Sequence, residues 1–593
     1  MRRRPFDSRP RTFGFAKRSR GGHRSGFRPT GGTRSATGSA RGAPHVGAYG
    51  CQSRRTGLGI RLTVLSAALL LLAQGAIHLG GPSALAQAPQ PAAPIRYQTP
   101  EFLSFEELKA LSADPYPSGA IRDRYNALWT TPIISNEAYY EGARPRRPSS
   151  PQLGEFLRVV SWNIEQSLHM DAAIDAFTNA EAFAKRIDYK KAKPGSRRFQ
   201  RTMAERALLK EADVILLQEM EIGVKRSGYR DAARDLANAL HMNYAYLPEY
   251  LEVDPVLLGT ERLMFREGQE DIQATEYFTV DPARYKGLFG CAVLSRYPVI
   301  NVEGFRLFTQ DYDWYWQEKL KPSFLETLRR FGAKAIFQET RHREMKVGGR
   351  TYFRVDLHVP DLPEQVVSVI NVHLEIKCTP EVRAMQMAEI LNYIKDIRHP
   401  VILAGDFNSA PQDLSPTSTP RVIQRGLSAP EFWLSRALEY FLPQAILLNV
   451  ARFVSNVTKN YQNPTAPHIP MLGPNPMGEL FSLIQRFRFA DGGAFDFRGD
   501  RQRSAGQVGK LSNSNERDFW AYKITFRVDR TVAKLIGKYR LDWIFVKAYL
   551  NHPRQRRGSY RFAPHFGRTL NTMNSSLTTR ISDHDPNLVD LPL

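Results

Sequence analysis

The segment Leu157-Arg-Val-Val-Ser-Trp162 is apolar and rich in β-branched residues, and Asn163 follows it directly. Such a run predicts a buried β-strand with a polar residue at its end. Similar runs recur along the chain at Val214–Leu217, Ala292–Ser295, Val366–Val372, Val401–Ala404 and Trp543–Val546. Because ligands bind beside strand ends in sheets that helices cover, we expect the polar residues at these ends to gather in one site.

These polar residues would form an oxygen-rich site with two imidazoles. They are Asn163, Glu219, His373, Asp406, Asn408, Asp542, Asp583 and His584. Carboxylate and amide oxygens bind Mg²⁺, Mn²⁺ or Ca²⁺ rather than thiophilic metals. A divalent ion offsets phosphate charge, and an attacking water must be activated by a histidine or a carboxylate. The pattern therefore indicates metal-assisted hydrolysis of a phosphate ester.

Helical segments are predicted between the strands at Thr202–Lys210, Asp231–Leu240 and Pro380–Arg398. In the last of these, apolar residues follow the i, i+3, i+4, i+7 spacing of an amphipathic helix. Strands mixed with covering helices predict a layered α+β domain. The chain of 593 residues is 42% hydrophobic, which is enough for a sizeable core.

Six short motifs occur in a fixed order between Ser161 and Pro586. They are Ser161-Trp-Asn-Ile-Glu165, Leu217-Gln-Glu219, Asn371-Val-His-Leu374, Gly405-Asp-Phe-Asn408, Arg540-Leu-Asp-Trp-Ile-Phe545 and Ser582-Asp-His-Asp-Pro586. In this order they resemble the endonuclease/exonuclease/phosphatase superfamily, which includes pancreatic-type deoxyribonucleases, abasic-site endonucleases, neutral sphingomyelinases and inositol-polyphosphate phosphatases. The resemblance covers about residues 155–593.

The resemblance implies an α/β (α+β) fold, a four-layered sandwich of two facing mixed β-sheets with helices on the outside. It implies one domain over 155–593, with insertions near 303–349 and 409–540, preceded by an N-terminal extension, 96–154, that packs on the core. It also implies a role for each motif residue. The implied metal-binding residues are Asn163, Glu165, Glu219 and Asp583, and the implied catalytic residues are His373, Asp406, Asn408, Asp542 and His584.

Two points of the implied mechanism stay open. The base that activates water is His584 or Asp406, with Asp542 fixing the imidazole tautomer of His584. Two cations shortly after Glu219, Arg226 and Arg230, are weaker candidates for binding a substrate phosphate.

We therefore expect an exported phosphoesterase that hydrolyses a phosphodiester or phosphomonoester with Mg²⁺, or with Mn²⁺ or Ca²⁺, and that acts on nucleic acid if it is a nuclease. The alternative is a lipid or small-molecule phosphodiesterase or phosphatase of the sphingomyelinase kind, which an apolar helix near Glu431–Val457 would favour. A catalytically inactive binding module on the same fold is a third reading. The partner that the sequence indicates is a phosphate-ester substrate, with no obligate protein partner evident.

The N-terminus has the composition of a leader. Residues 1–61 contain 15 Lys/Arg and one Asp, and they are predicted to be disordered. The stretch 62–86 has the apolar run and the Ala84-Leu85-Ala86 site of a signal peptide, and a Pro/Ala linker follows at 87–95. This predicts a periplasmic or secreted protein, or one that residues 62–79 anchor to a membrane. Residues 62–593 carry a net charge of only +9.

Three cysteines rule out a disulfide scaffold and a Cys-rich zinc or iron–sulfur site. In an oxidising compartment Cys291 and Cys378 would be available for one disulfide, and the sequence leaves that pairing open.

Overall fold

The computed structural model describes residues 94–261, 280–319, 345–409, 478–496, 524–532, 536–550 and 560–593. The leader 1–61, the signal segment 62–86, most of the linker 87–95 and the helical segment Glu431–Val457 lie outside the described residues. Among the residues that are described, no helix has both the length and the apolar character needed to cross a bilayer.

Two mixed β-sheets form the framework. The larger sheet has the order β1-β2-β6-β7-β5-β4-β17-β16, with β3 paired to β4 and β9 paired to β6. Its strands are β1 Tyr97–Gln98, β2 Ile133–Ser135, β3 Ser149–Ser150, β4 Gly154–Asn163, β5 Val214–Ile222, β6 Asn243–Glu252, β7 Leu288–Ser295, β9 Lys346–Gly348, β16 His565–Thr569 and β17 Asn587–Pro592. Its central pair, β4 and β5, is parallel, so both strands end at the same edge.

The smaller sheet has the order β15-β12-β11-β10-β8. Its strands are β8 Val299–Arg306, β10 Thr351–His358, β11 Val366–His373, β12 Val401–Asp406 and β15 Asp542–Lys547. The pair β11 and β12 is parallel and the other pairs are antiparallel. A separate two-stranded ribbon consists of β13 Phe526–Val532 and β14 Ile536–Tyr539.

Helices cover the outer faces of the two sheets. They are α1 Phe105–Ala113, α2 Gly119–Thr130, α3 Glu137–Tyr140, α4 Met170–Thr178, α5 Ala180–Lys185, α6 Arg197–Lys210, α7 Ala232–Leu240, α8 Trp314–Lys319, α9 Pro380–Ile394, α10 Gly478–Arg486 and α11 Asn571–Ser575. Capping side chains set several helix starts, since Ser196 accepts the N–H of Phe199 at α6 and Thr379 accepts that of Val382 at α9.

Three apolar layers hold the sandwich together. Between the sheets, Val159 and Leu216 of the larger sheet share a core with Val355 and Ile402 of the smaller one. A second core lies between the larger sheet and helices α1, α4, α6 and α7, and a third joins the smaller sheet to α9 and α10. The arrangement of helices, sheet, sheet and helices confirms the four-layered fold that the sequence predicts.

The strands and helices predicted within the described residues are present, with some changes of boundary. The run Val214–Leu217 is the start of the longer β5, and the predicted helix Thr202–Lys210 begins earlier, at Arg197. The helix predicted to reach Arg398 ends at Ile394. Cys291 and Cys378 are buried thiols, so the disulfide left open by the sequence is not formed in this structure.

Candidate active site

One row of the smaller sheet carries three of the predicted residues. His373 at the end of β11 pairs in register with Asp406 at the end of β12, and Asp406 pairs with Asp542 at the start of β15. Residues in register on neighbouring strands have their Cβ atoms about 5 Å apart. All three are buried, with at most 3% of their surface exposed.

The larger sheet supplies Asn163 and Glu219 from the ends of two parallel strands. Glu219 lies in a bulge of β5 with φ of +60°, a conformation that re-aims its side chain. The Nδ2 of Asn163 lies 3.2 Å from Glu219 Oε1 and 3.2 Å from Asp406 Oδ2, and it donates to both. Asn163 therefore connects the two sheets at the centre of the site.

Glu165 and Asp583 complete the acidic side of the site. Residues Glu165, Gln166 and Ser167 all have positive φ, which non-glycine residues rarely adopt and which concentrates at functional sites. Glu165 Oε2 accepts the main-chain N–H of Asp583 at 2.8 Å, and the main-chain N–H of Gln166 is donated to Glu219 at 3.2 Å. The carboxylates of Glu165, Glu219 and Asp583 are thus near enough for their charges to interact.

This crowding of carboxylates changes their acidity. Burial, followed by repulsion from Asp583 and Glu219, raises the pKa of Glu165 to about 8. Burial also raises the pKa of Asp583 to about 6, with Glu219 adding to the rise and His584 opposing it. Negative charge is therefore in excess at this point of the protein, which suits a bound cation.

His584 and Asp542 form a buried pair. The Nδ1 of His584 lies 2.8 Å from Asp542 Oδ2, and its Nε2 lies 3.8 Å from Asp406 Oδ2. Burial lowers the pKa of His584, but the attraction of Asp542, and to a lesser extent of Asp406 and Asp583, outweighs it and raises that pKa well above the usual value. The contact between Asp542 and His584 has the form that the family resemblance implies.

His373, like His584, turns its Nε2 towards Asp406 Oδ2. Its Nε2 lies 4.0 Å from Asp406 Oδ2 and 3.9 Å from Glu219 Oε1. Its Nδ1 lies 3.0 Å from Glu249 Oε2 and 2.8 Å from Arg350 Nη1. Each imidazole therefore turns one nitrogen towards a fixed carboxylate and the other towards Asp406.

Sequence reasoning missed the buried groups behind His373. Arg350 donates to Glu249 at 2.9 Å and to Glu375 at 3.1 Å, and Tyr250 donates its hydroxyl to Glu375 at 2.7 Å. Each of these residues is at most 2% exposed. The available signal was a charged residue inside an apolar strand, since Glu249 stands in the middle of β6.

Asn408 positions Asp406 through the main chain. Its N–H donates to Asp406 Oδ1 at 2.8 Å, and its Nδ2 donates to the carbonyl of Leu374 at 2.9 Å. The backbone of Asn408 is in the left-handed region with φ of +47°, which asparagine tolerates better than most residues.

The two candidate arginines have acidic partners of their own. Arg226 is largely buried and forms ion pairs with Glu221 and Glu252. Arg230 is about one third exposed and lies 2.6 Å from Asp171. Their contribution to substrate binding stays a prediction. The nine other predicted residues lie together, with Asn163 and Asp406 at the centre of the group.

Comparison with known proteins gives a family match and several similar folds. The model of the endonuclease/exonuclease/phosphatase family matches residues 160–584. No curated protein matches the chain. Among solved structures, an endonuclease/exonuclease/phosphatase from Beutenbergia cavernae has 15% identity and a TM-score of 0.31, and covers 74% of this chain and 72% of its own. A 3'-5' exonuclease from Neisseria meningitidis has 13% identity and a TM-score of 0.33, with coverage of 74% and 100%.

The matched segment spans most of the chain and contains the first five motifs and the Ser582–His584 part of the sixth. On this evidence the chain belongs to the endonuclease/exonuclease/phosphatase family.

Proposed function

We propose that this protein is a divalent-metal-dependent phosphoesterase that hydrolyses its substrate by attack of an activated water. The observation that carries the proposal is the convergence of two buried histidines and a cluster of carboxylates on Asp406 Oδ2. Both imidazole Nε2 atoms lie within 4.0 Å of that oxygen, beyond direct hydrogen-bond distance. The space between each imidazole Nε2 and Asp406 Oδ2 suits a reacting water or a phosphate oxygen.

The acidic side of the site has the ligand chemistry that a hard cation prefers. Among the described residues, the groups whose possible ligand atoms all lie within 4.8 Å of one another are Asp406, Asp542 and His584, and Glu249, Cys291 and His373. Glu165, Glu219, Asp583 and the amide oxygen of Asn163 offer only oxygen ligands, which Mg²⁺ and Mn²⁺ prefer. Burial raises the pKa values of Glu165 and Asp583, and repulsion between neighbouring carboxylates adds to the rise, while the charge of Arg580 opposes it. When bound, a divalent ion would neutralise phosphate charge and stabilise the leaving oxygen.

The chain's own residues handle the proton. Asp406 is held by Asn163 and by the main-chain N–H of Asn408, so its carboxylate is fixed beside the reacting water. His584 is held by Asp542 and faces the same point with Nε2. In the proposed reaction the proton of the water passes to the carboxylate of Asp406. The charged ring of His584 donates its Nε2 proton towards the reacting oxygens, and His373 contacts the phosphate.

A panel of substrates tests this function. Plasmid DNA, RNA, sphingomyelin, an inositol phosphate and a chromogenic phosphodiester are each incubated with Mg²⁺, with Mn²⁺ and with excess chelator. We expect hydrolysis of at least one substrate, abolished by the chelator and restored by the metal. Full activity in excess chelator would remove the metal from the proposal, and no hydrolysis of any substrate would favour the inactive binding module.

A pair of variants tests the placement of the metal. Glu219→Gln should raise the Mg²⁺ concentration for half-maximal activity by about tenfold or more, because it removes one charged ligand. Glu211→Gln is the matched control, since this half-exposed carboxylate pairs with Arg158 away from the site. A large loss of melting temperature in Glu219→Gln, with unchanged metal dependence, would make Glu219 a structural residue.

A further inference from the structure

A short segment between α5 and α6 concentrates the positive charge of the protein. Residues Lys185–Arg201, here called the basic strip, contain eight Lys/Arg and one Asp. Their net charge of +7 compares with +9 for all of residues 62–593. The cations of the strip are Lys185, Arg186, Lys190, Lys191, Lys193, Arg197, Arg198 and Arg201. Outside the strip, the positive and negative charges of residues 62–593 nearly cancel, so the excess positive charge is concentrated in the strip.

Most of this charge faces solvent without an acidic partner. Within the described ranges, no carboxylate lies within ion-pair distance of Lys185, Lys190, Lys193 or Arg197, and all four are exposed. Arg198 donates only to the hydroxyls of Ser575 and Ser576 and to a carbonyl. The other three cations do pair with acids, as Arg186 with Asp175, Lys191 with Asp188 and Arg201 with Glu205.

The chain path places the strip at the edge of the larger sheet that carries the active site. Strands β4 and β5 are parallel and end at Asn163 and near Glu219, and α6 leads back to the start of β5. The first residues of α6 therefore lie at the active-site edge and its last residues at the opposite edge. Arg197 and Arg198 stand in that first turn, where positive charge is unfavourable to the helix itself.

Hydrogen bonds fix the strip to the segment that carries His584. The main chain of Asp188 donates to Ser576, and that of Thr578 donates to Arg186. Asn574, next to Ser575, donates to the carbonyls of Ser582 and His584. Standard bond lengths then put the guanidinium of Arg198 within about 15 Å of the backbone of His584.

We propose that the basic strip binds the sugar–phosphate backbone of a nucleic-acid strand whose scissile phosphate lies between His373 and His584. This inference rests on the proposed function and names its substrate class. At the duplex rise of about 3.4 Å per phosphate, a distance of up to about 15 Å corresponds to at most about four or five nucleotides, and to fewer in a more extended single strand. The exposed ring of Tyr189, within the strip, provides a surface on which a base can stack.

An anionic membrane surface is the competing partner for such a strip, and the side chains argue against it. Membrane-surface segments pair cations with apolar residues that insert between lipids. Among the described residues of the strip, Tyr189 is the one exposed large apolar side chain, since Phe199 packs against the core. A surface with many cations and few exposed apolar side chains suits binding to a polyanion in solution.

The test uses the full chain with Lys190, Lys193 and Arg197 replaced together by alanine. The matched control replaces three exposed cations outside the strip, Arg122, Lys210 and Lys395, also by alanine; Lys210 lies at the opposite end of α6. The substrates are single-stranded oligonucleotides of 2, 4, 8 and 16 nucleotides and a chromogenic phosphodiester. The quantity measured is kcat/KM with saturating Mg²⁺ at several salt concentrations.

In the unchanged protein and in the control, kcat/KM should rise with length and level off beyond about five nucleotides. In the strip variant it should fall by about 10- to 100-fold for the 8- and 16-mers, and the salt slope should decrease by about 2, as the loss of three phosphate contacts requires. Hydrolysis of the chromogenic ester should stay unchanged. Equal kcat/KM for all three proteins on the long substrates overturns the strip while leaving the proposed function intact.

Direct binding separates the remaining outcomes. Anisotropy of a labelled 16-mer in excess chelator, with its salt dependence, measures binding without any hydrolysis, and the strip variant should show the smaller slope. The same three proteins are mixed with phosphatidylserine vesicles. Loss of vesicle binding in the strip variant, with unchanged oligonucleotide binding, would assign the strip to a membrane and refute the nucleic-acid proposal.

Discussion

Replacing the two members of the Asp542–His584 pair, singly and together, tests whether they act as one unit. The His584 Nδ1 to Asp542 Oδ2 distance is 2.8 Å, and both residues are at most 4% exposed. The carboxylate therefore orients the ring, and Nε2 remains facing Asp406. His584→Ala removes the ring, whereas Asp542→Asn keeps the ring but removes the charge beside it.

The expected magnitudes follow from these contacts. General acid–base catalysis contributes roughly 10²- to 10⁴-fold, so His584→Ala should lower kcat by that amount. Asp542 is the strongest of the attractions that favour the charged form of His584. Asp542→Asn keeps the ring but removes the charge that orients it, so it should cost part of the same effect, about 10- to 100-fold. Asp542→Asn acts only through the ring of His584, and the double variant already lacks that ring. The kcat of the double variant should therefore lie within about threefold of the kcat of His584→Ala.

The assay measures kcat on the chromogenic phosphodiester at saturating Mg²⁺, so that changes in metal affinity do not enter. Asp590→Asn is the control, because Asp590 is also a buried carboxylate but pairs with Arg158 at 2.7 Å, away from the catalytic residues. The control should lower the melting temperature and leave kcat unchanged well below it. If the double variant instead loses the product of the two single effects, Asp542 and His584 act independently and the pair assignment is wrong.

Three further predictions concern stability and processing. In excess chelator, the free energy of unfolding should decrease as the pH rises from about 4 to about 8. The reason is that the folded state keeps protons on Glu165 and Asp583 that the unfolded state has released. Urea denaturation at several pH values measures this decrease, and Mg²⁺ or Glu165→Gln should make it smaller. Arg350→Leu should lower the free energy of unfolding by about 3–5 kcal/mol because it leaves two buried carboxylates without their cation; an unchanged urea midpoint would contradict this. We also expect the mature protein to begin near Gln87 outside the cytoplasm, and mass spectrometry that finds peptides of residues 1–61 in it would refute that expectation.

The strand ends were predictable because each motif joins an apolar run to polar residues within a few positions. Periodicity and side-chain type locate Asn163, His373 and Asp406 at strand ends, and the family order implies that they meet. Their register could not be derived in this way, because pairing between β11, β12 and β15 depends on contacts across long sequence distances.

The buried network around Arg350 was beyond sequence reasoning for a different reason. Glu249 and Glu375 are compatible with solvent-exposed positions until the fold brings them to one cation. A charge inside an apolar strand is compatible with an edge, a bulge or a buried ion pair, and only the neighbouring strands decide between these. The charge of the basic strip can be counted from the sequence, but its position at the active-site edge depends on the fold.

The division of the site between the two sheets gives the inter-sheet core a part in catalysis. Asn163 and Glu219 belong to the larger sheet, while His373, Asp406 and Asp542 belong to the smaller one. Side chains such as Leu216 and Val369, well away from the substrate, therefore set the spacing between the acidic and the imidazole halves. A displacement of about 1 Å is enough to cost about 10²-fold in rate. Heating, or truncation of these side chains, should then silence the enzyme while its circular dichroism is still native, so its working temperature range is narrower than its range of folded stability.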